Sequence, residues 1–417
     1  MQIIYSFLTR ISYLFLWVAQ FFSSKMKLFI SGRKGVIKKL KNTITSEDKT
    51  IWFHCASLGE FEQGVPIIEA TKKLFPKHKI VISFFSPSGY EIKKNTELAH
   101  LVVYLPLDTK PNAQKFVEAI HPSLALFVKY EFWPNYLFEL KNKNIPTLLI
   151  SGLFRKEQVF FKSHGGFMRK ALQNFNHIFV QDSTSEQLLN SIGIHNVSVS
   201  GDTRFDRVSH QIELDNTLSF ISEFKENSIC IVCGSTWPED ENILLKYINE
   251  APKHVKFVIA PHNIDGTKIA NFRKKINQDS VLYSEKEGKD LTSYQVFIID
   301  TIGLLTKIYN YADIAYVGGA MGKTGLHNIL EPATFGVPIV IGKNFDGFPE
   351  AKRLQQLAGL FSVNDEQECV QILDKLVSNK AFREKTGMIA GHFVNSNTGA
   401  TATTMSYIER LNRDGLI

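Results

Sequence analysis

The chain has 417 residues, of which 44% are hydrophobic and 21% are charged. This length is enough for roughly two to three domains with separate cores, and the composition excludes a disordered or fibrous chain. The 26 glycines and 14 prolines follow no period, which excludes collagen-like and low-complexity sequence.

The formal net charge of +7 is concentrated at the N-terminus. Residues 1–46 contain eight Lys or Arg and no acidic residue, so the rest of the chain has 40 basic and 41 acidic residues and a net charge of −1. Nucleic-acid-binding proteins spread basic charge over a folded face with aromatic residues between. The pattern here indicates an anionic membrane surface as partner and no nucleic acid.

An apolar segment of about 20 residues, interrupted by Arg10, begins the chain. We predict that residues 1–24 form a membrane anchor and that residues 25–48 form a basic juxtamembrane segment on the cytoplasmic side. No basic start or small-residue cleavage site stands out, so the segment is expected to be retained. The alternative is an ordinary first helix packed on the core, and the sequence does not decide between a span and an interfacial helix. Candidate interfacial anchors are Tyr5, Tyr13 and Trp17.

From Lys49 onward, short apolar runs alternate with helical patterns, which is typical of parallel sheets with crossover helices. The runs of the first half are TIWFHCAS, KIVISFF, LVVYLPL, LALFVKY, PTLLISG and HIFVQD, and those of the second half are SICIVCGS, VKFVIAP, SVLYS, QVFIID, DIAYVGG, VPIVIGK and GLFSV. They predict an α/β protein with two Rossmann-like domains, at residues 49–207 and 228–390, joined by a polar linker at 208–227. Residues 391–417 are predicted to form a helix that packs back. Because such sheets bind ligands at the carboxyl ends of their strands, we expect the domains to face a cleft.

Two acidic residues follow predicted strands of the first domain. Glu60 lies where HCASLGE passes from a strand into a helix, and Glu131 follows the strand that ends in VKY. Each has an ordinary alternative, because an acid in the first helical turn is stabilised by the helix dipole. Two acids at strand ends of one sheet could also act on one substrate. One would accept a proton from the substrate, and the other would orient or stabilise the substrate.

A glycine-rich segment follows a predicted strand of the second domain. In YVGGAMGKTGLHNILEPATFG, four glycines precede a helix that is expected to start near Asn328. Glycines let backbone amides approach a phosphate, and a helix N-terminus favours its charge. The segment matches neither GxGxxG nor GxxxxGK[ST], which disfavours hydride transfer and P-loop ATP hydrolysis.

Cysteine and histidine spacing indicates no metal site. Cys230 and Cys233 form a CxxC inside an apolar run without a second pair, so we interpret them as structural residues, and four cysteines are too few for a disulfide scaffold. His54, His262 and His327 belong to separate strand ends without ligand spacing. His54 is predicted to be a core histidine.

Taken together, these motifs resemble the bacterial Kdo transferases, which transfer 3-deoxy-D-manno-oct-2-ulosonic acid (Kdo) from CMP-Kdo to the lipid A precursor. The matching motifs, beyond the apolar leader, are RKG at 33–35, HCASLGE at 54–60, KYEFWPN at 129–135, GDTRFD at 201–206, GSTW at 234–237 and HNILEPA at 327–333. The resemblance runs along the whole chain. It implies the glycosyltransferase B (GT-B) fold, inverting transfer to lipid IVA in lipopolysaccharide core biosynthesis, no metal and no cofactor. It also implies a location on the cytoplasmic face of the inner membrane.

The resemblance assigns roles to particular residues. The catalytic base falls on Glu60, the supporting acid on Glu131, and a lysine that stabilises the transition state on Arg204. The CMP contacts fall on Pro261, His262, Ile302, Gly303, Leu304, Asn328, Ile329, Leu330 and Glu331.

The chain departs from the family at three positions. Arg204 replaces lysine, His262 stands where the family often has arginine, and Leu304 stands where it often has glutamate. Backbone contacts could survive such changes, whereas side-chain contacts could not. Two alternatives stay open: another nucleotide-sugar glycosyltransferase of this fold, such as a lipid A disaccharide synthase that uses a UDP-sugar, or a non-catalytic membrane-bound carbohydrate-binding protein.

Overall fold

The computed structural model describes residues 2–417 and divides into two compact units. The first unit contains the chain up to Arg207 together with Thr398–Ile417, and the second contains Val208–Asn397. Each unit is built on one parallel sheet of seven strands, so the predicted pair of parallel-sheet α/β domains is confirmed.

The strands of the first sheet are β1 (Thr50–Cys55), β2 (Lys79–Phe84), β3 (Leu101–Tyr104), β4 (Pro122–Val128), β5 (Thr147–Gly152), β6 (His177–Val180) and β7 (Val197–Val199). Their order is β3-β2-β1-β4-β5-β6-β7. The chain therefore moves outward from β1 to β3 and then returns to β4 on the other side of β1. This change of direction is a topological switch point, where open α/β sheets bind ligands.

The helices of this unit are α1 (Gln2–Ala19), α2 (Ser24–Ser31), α3 (Val36–Thr43), α4 (Leu58–Leu74), α5 (Pro87–Lys93), α6 (Lys110–Ile120), α7 (Pro134–Asn142), α8 (Gly166–Leu172), α9 (Ser183–Asn190) and α10 (Thr203–His210). Helices cover both faces of the sheet, because alternate residues of β1 point into separate apolar clusters: Trp52 into one, Ile51 and Phe53 into the other. Short 3₁₀ helices occupy Val159–Phe161 and Ser163–Gly165.

The second sheet repeats this plan. Its strands are β8 (Ile229–Thr236), β9 (Val255–Pro261), β10 (Ser280–Leu282), β11 (Val296–Ile298), β12 (Ile314–Val317), β13 (Ile339–Gly342) and β14 (Leu360–Val363). The order β10-β11-β9-β8-β12-β13-β14 places the switch point between β8 and β12. The helices are α11 (Ser219–Lys225), α12 (Pro238–Glu250), α13 (Gly266–Arg273), α14 (Leu305–Ile308), α15 (Leu330–Thr334), α16 (Pro349–Gln356), α17 (Glu366–Ser378) and α18 (Lys380–Asn395). Single 3₁₀ turns lie at Gln211–Glu213, Tyr283–Glu285, Leu291–Ser293 and Tyr309–Tyr311.

The segments around the predicted domain boundaries have defined structure. The expected linker at 208–227 contains α11, whose Ile221 and Phe224 are buried against the second sheet. The expected C-terminal helix at 391–417 overlaps two helices, the end of α18 in the second unit and α19 (Ala400–Arg413) in the first. Helix α19 buries Ile408 in the first core, and Asp206 accepts hydrogen bonds from backbone amides just before and within it.

Helix α1 has one docked side and one apolar exposed side. The apolar side chains of its exposed side include Ile3, Phe7, Leu14 and Phe15, which are 55% or more exposed, and Phe21 and Phe22 after the helix are also exposed. Within residues 2–417, no helix combines the length and the apolar character that crossing a bilayer requires.

Candidate functional site

The sequence-predicted catalytic residues lie at one edge of the first sheet. Glu60 is in the first turn of α4, which follows β1, and Glu131 follows β4, the strand on the other side of the switch point. Arg204 is in the first turn of α10, after β7. Because all seven strands are parallel, the ends of β1 and β4 meet at the same edge.

The Glu60 carboxylate caps its own helix. Its Oε2 accepts a hydrogen bond from the backbone amide of Ser57 at 3.0 Å and another from the Ser57 hydroxyl. This arrangement is a capping box, which satisfies amides that the helix start leaves unpaired. The other oxygen, Oε1, makes no hydrogen bond to any part of residues 2–417. Capping therefore fixes the half-exposed carboxylate and leaves one oxygen for another group.

Glu131 is held by a buried hydrogen-bond network. The carboxylate is only 7% exposed, and its Oε2 lies 2.6 Å from Nε1 of Trp133 and 2.9 Å from Nε2 of His54. Ser83 Oγ accepts from Trp52 Nε1 at 2.8 Å and lies 2.8 Å from His54 Nδ1. Because a carboxylate oxygen only accepts, we assign the proton of His54 to Nε2, directed at Glu131, and the Ser83 hydroxyl then donates to Nδ1.

His54 thus does more than fill the core. It is fully buried, as its position in an apolar strand predicted, but its ring also orients an acid at the switch point. No local sequence pattern indicates this contact, because the two residues are 77 positions apart.

Electrostatic effects place the acidic residues in one neighbourhood. Burial raises the pKa of the Cys55 thiol at the end of β1 well above its usual value, and the charges of Glu60 and Glu131 raise it further. Burial also raises the pKa of Tyr130, which Arg155 and Arg204 oppose. The structure therefore brings Glu60, Glu131 and Arg204 to the same edge.

Arg204 is positioned by an aspartate of the GDTRFD motif. Its Nε and one terminal guanidinium nitrogen lie 2.8 and 2.7 Å from Asp202 Oδ2. Gln63 of α4 donates to Asp202 Oδ1 at 3.1 Å, so the aspartate connects Arg204 with the helix that bears Glu60. Such a two-point contact holds the planar guanidinium in a defined orientation.

Three rings stack at the strand ends of the second unit. The rings of Trp237 and His262 are parallel to within 21° with centroids 4.7 Å apart, and His262 lies 4.4 Å from His327. Trp237 Nε1 donates to His327 Nε2 at 3.1 Å, which places the proton of His327 on Nδ1. Burial, with a smaller effect of His262, lowers the pKa of His327 to about 4, and burial lowers that of His262. Both rings are neutral at pH 7, so His262 does not reproduce the arginine charge of the family.

The glycine-rich segment differs from the expected phosphate loop. Asp240 Oδ2 accepts from the backbone amides of Gly319 and Trp237 at 2.8 and 2.9 Å, and the Gly318 amide donates to Gly234. These amides are therefore not available to a phosphate. Gly319 has φ +96, a conformation that favours glycine. The following helix α15 has five residues and begins at Leu330, after the predicted start near Asn328.

Asp240 is a buried residue that sequence reasoning missed. Its carboxylate also accepts from the Tyr316 hydroxyl at 2.9 Å, and burial raises its pKa. Pro238-Glu239-Asp240 directly after a strand is a signal for a helix start, but it does not reveal the bond to Gly319.

The remaining predicted donor contacts lie around α14 and α15. Ile302 is 84% exposed, and Gly303 has φ +92. Asn328 and Thr306 donate to Glu331 at 3.1 and 3.2 Å. Two predicted residues, Ile329 and Leu330, have buried side chains, and Pro261 and Leu304 are half-buried.

The cysteines and acids supply no metal cluster. All four cysteines are unpaired and buried, and for Cys230 and Cys233 the apolar run around them predicted this. Among residues 2–417, no group of three or more His, Cys, Asp or Glu side chains is arranged to hold a metal ion.

Known proteins share this fold. A UDP-GlcNAc 2-epimerase from Neisseria meningitidis has a similar structure, with a TM-score of 0.61 and 16% identity over 87% of this chain and all of that one. The likeness shows the fold, and together the fold and the site define a two-domain α/β protein of the GT-B-like class with paired carboxylates at a switch point.

Sequence comparisons match the chain to known transferases. Residues 30–207 match the family described as 3-deoxy-D-manno-octulosonic-acid transferase (kdotransferase). A transferase of that name from Haemophilus influenzae is 26% identical over 86% of this chain and 87% of its own. A bifunctional glycosyltransferase/methyltransferase from Fusobacterium nucleatum is 26% identical over 90% of this chain. The match covers only 60% of that relative's length. Over residues 30–207, and at 26% identity along most of its length, the chain is similar to the Kdo transferases.

Proposed function

We propose that this protein is an inverting glycosyltransferase that moves Kdo from CMP-Kdo to a lipid A precursor. The observation that carries the proposal is the match of residues 30–207 to the Kdo transferase family. This segment contains Glu60, Glu131 and Arg204, which lie at one edge of one sheet. The relatives' names supply the sugar, and the chemistry is supported by the side chains at that edge.

Glu60 is proposed as the general base. Its capped carboxylate has a fixed orientation, and Oε1 is available to accept the proton of a sugar hydroxyl on the acceptor. The deprotonated oxygen attacks the anomeric carbon of Kdo, the bond to the CMP phosphate breaks, and the configuration inverts. A positioned base of this kind typically contributes ~10²- to 10⁴-fold to the rate.

Glu131 and Arg204 are proposed to act on charge and orientation. Because two donors hold Oε2 of Glu131, its position is fixed before the acceptor arrives. Arg204 would offset negative charge that develops on the leaving phosphate. The ion pair with Asp202 reduces the net charge of Arg204 but fixes the direction of its guanidinium. Arg204 would therefore act more by orienting the phosphate than by attracting it over a distance.

The second unit is proposed to bind the donor. The candidate contacts surround two places, the end of β9 with Pro261 and His262, and the segments next to α14 and α15. Asn328 and Thr306 each donate to one oxygen of Glu331, which orients the carboxylate toward a proposed contact with the nucleotide ribose. A charged hydrogen bond of this type is worth about 1.5–3 kcal/mol.

Mass spectrometry of the lipid product tests the transfer. The protein is incubated with CMP-Kdo and detergent-dispersed lipid A precursor, and the product mass reports each added Kdo. Glu60→Gln should reduce transfer at least a hundredfold, whereas Glu69→Gln, farther along α4, should retain it. Transfer from a UDP-sugar without transfer from CMP-Kdo would favour the other glycosyltransferase, and no turnover with any donor would favour the binding protein.

Calorimetry with CMP tests the donor site separately. Glu331→Ala should weaken CMP binding by about 1.5–3 kcal/mol, and Glu366→Ala, on the exposed start of α17, should not change it. Equal CMP affinities of the two variants would show that Glu331 does not contact the ribose.

We also propose that the N-terminal segment binds the cytoplasmic face of the inner membrane. The proposal is supported by the eight cations of residues 1–46 and by the apolar side chains on the exposed side of α1. Each cation near an anionic surface is worth about 1 kcal/mol. Because deletion of α1 would also remove packed residues, we choose point changes.

Phe7→Asp with Phe15→Asp should reduce sedimentation with anionic vesicles, including at high salt, where charge attraction is screened. The control is Ile302→Asp with Met388→Asp, which changes two exposed apolar residues of the second unit. Binding that equals that of the controls would exclude α1 as the attachment site.

A further inference from the structure

A cavity of about 500 Å³ lies in the first unit, separate from the carboxylates described above. It is bounded by α1, by the turn between α2 and α3, and by the segment that follows β3. Its apolar wall includes Tyr13, Ile30, Val36, Pro106 and Leu107. The volume is typical of small-molecule sites, which occupy ~300–1,000 Å³.

The cavity also has an uncompensated positive charge. Arg10, Arg33, Lys34 and Lys38 contribute to its lining, and none of them forms an ion pair with a carboxylate anywhere in residues 2–417. The N-terminal 46 residues contain no acid at all. Apolar walls beside cations are complementary to an amphiphile that carries negative charge.

The RKG motif builds this combination. Arg33 donates to the carbonyl oxygens of Leu105, Phe29 and Phe85 at 2.9, 2.7 and 2.7 Å, so it ties α2 to the ends of β2 and β3. Gly35 has φ +74 and forms the turn into α3, where a side chain would be strained. The motif therefore shapes the cavity and presents Lys34 at its rim.

The cavity lies on the same edge of the sheet as the proposed catalytic site. Pro106 and Leu107 follow the carboxyl end of β3. With strands ~4.8 Å apart, β3 lies roughly 10 Å from β1 and roughly 15 Å from β4. A lipid held here would extend along the edge toward Glu60 and Glu131.

We propose that this cavity binds one acyl chain of the lipid acceptor, while Arg10, Lys34 and Lys38 contact an anionic group of the same lipid. The proposal rests on the proposed function, because it assigns the cavity to the acceptor. The position on the catalytic edge, roughly 10–15 Å from the strands that precede Glu60 and Glu131, favours the acceptor over a bulk membrane lipid.

Filling the cavity tests the proposal with a matched pair of variants. Thr9 lines the cavity, whereas Ser12, one turn farther along α1, is exposed and does not. Both hydroxyls donate to the carbonyl oxygen four residues earlier. Thr9→Trp places an indole in the cavity, and Ser12→Trp adds the same group to the surface. Each CH₂ that the indole excludes is worth roughly fourfold in affinity.

The first measurement is calorimetric binding of dodecyl phosphate, with inorganic phosphate and dodecanol as separate probes. We expect dodecyl phosphate to bind the unmodified protein and Ser12→Trp equally and to bind Thr9→Trp at least tenfold more weakly. Inorganic phosphate alone should bind at least tenfold more weakly than dodecyl phosphate. Equal binding by both tryptophan variants, or binding of phosphate without the chain, would overturn the cavity as an acyl site.

The second measurement is the ratio of kcat/KM for the acylated acceptor to kcat/KM for its deacylated form. Thr9→Trp should lower this ratio at least tenfold relative to Ser12→Trp. An unchanged ratio in a protein that binds dodecyl phosphate would overturn the acceptor as the occupant. Transfer to neither form by the unmodified protein would refute the proposed function itself, independently of the binding result.

Two charge-reversal variants test the proposal if Thr9→Trp does not fold. Lys38→Glu changes a residue at the cavity, and Lys41→Glu changes an exposed lysine of the same helix that does not line it. Lys38→Glu should weaken dodecyl phosphate binding at least tenfold relative to Lys41→Glu. Equal affinities would overturn the cationic part of the proposal.

Discussion

Replacement of Arg33 by methionine should destabilise the first unit by about 3 kcal/mol. The guanidinium makes three hydrogen bonds to backbone carbonyls, and hydrogen bonds to charged groups are worth about 1.5–3 kcal/mol each. It also lies 3.6 Å from the centroid of the Phe29 ring. Together these contacts are worth roughly 5–9 kcal/mol.

Burial opposes these contacts. It lowers the pKa of Arg33 from 12.5 to about 10, which corresponds to roughly 3 kcal/mol of lost solvation for the charged form. Because the pKa stays far above 7, the guanidinium remains charged. Methionine removes the solvation cost but leaves three carbonyls without their donor, so the net effect is a loss of stability.

Tryptophan fluorescence during urea unfolding measures the effect, because three of the four tryptophans belong to the first unit. Arg33→Lys should give an intermediate loss, since an ammonium cannot match a planar guanidinium that reaches three divergent acceptors. Lys34→Met, the exposed neighbour, should stay within ~0.5 kcal/mol. Equal midpoints for Arg33→Met and Lys34→Met would refute the reasoning that these bonds stabilise the fold.

The remaining predictions concern three buried polar groups. His54→Phe removes a donor from Glu131, and it should reduce transfer on the order of 10²-fold without changing CMP affinity by calorimetry. Asp240→Ala removes the acceptor of the Gly319 and Trp237 amides, and it should destabilise the second unit by about 2 kcal/mol in thermal unfolding. The pKa of His327 is about 4 in the folded chain and 6.5 when unfolded, so stability is full above pH 6.5 and is lost as pH falls toward 4. His327→Phe should remove this part of the shift in Tm between pH 7 and pH 5.

The strands could be predicted from the sequence because most of their residues are buried. A strand that is covered on both faces needs a continuous apolar run, and all thirteen predicted runs form strands. The strand that was missed, β7, has three residues, of which Val197 and Ser198 are half-buried and Val199 is exposed. At the edge of a sheet such a strand needs no long apolar run, so the pattern gave no signal.

The polar networks could not be predicted, because they join distant positions. Glu60 and Ser57 are three residues apart, and their capping box is readable from the motif. Asp240 and Gly319 are 79 residues apart, and no local pattern connects them. The glycine-rich segment suggested a phosphate loop because its local sequence does not reveal this contact. In the structure the buried carboxylate of Asp240 accepts the hydrogen bond of the Gly319 amide.

Helix α1 and the proposed catalytic edge share one structural support, which is Asp108. Its carboxylate accepts hydrogen bonds from the backbone amides of Asn135 and Tyr136 at the start of α7, both at 3.2 Å, and the Asn135 side chain donates to Ser6 Oγ of α1 at 3.2 Å. Burial raises the pKa of Asp108 to about 6, so the group is mostly ionised at pH 7 and depends on these donors. Because α7 begins directly after Trp133, the residue that holds Glu131, a shift of α1 that weakens Asp108 also loosens the support of that carboxylate. The proposed attachment of α1 to a lipid surface and the orientation of Glu131 would therefore be connected through Asp108 and the start of α7.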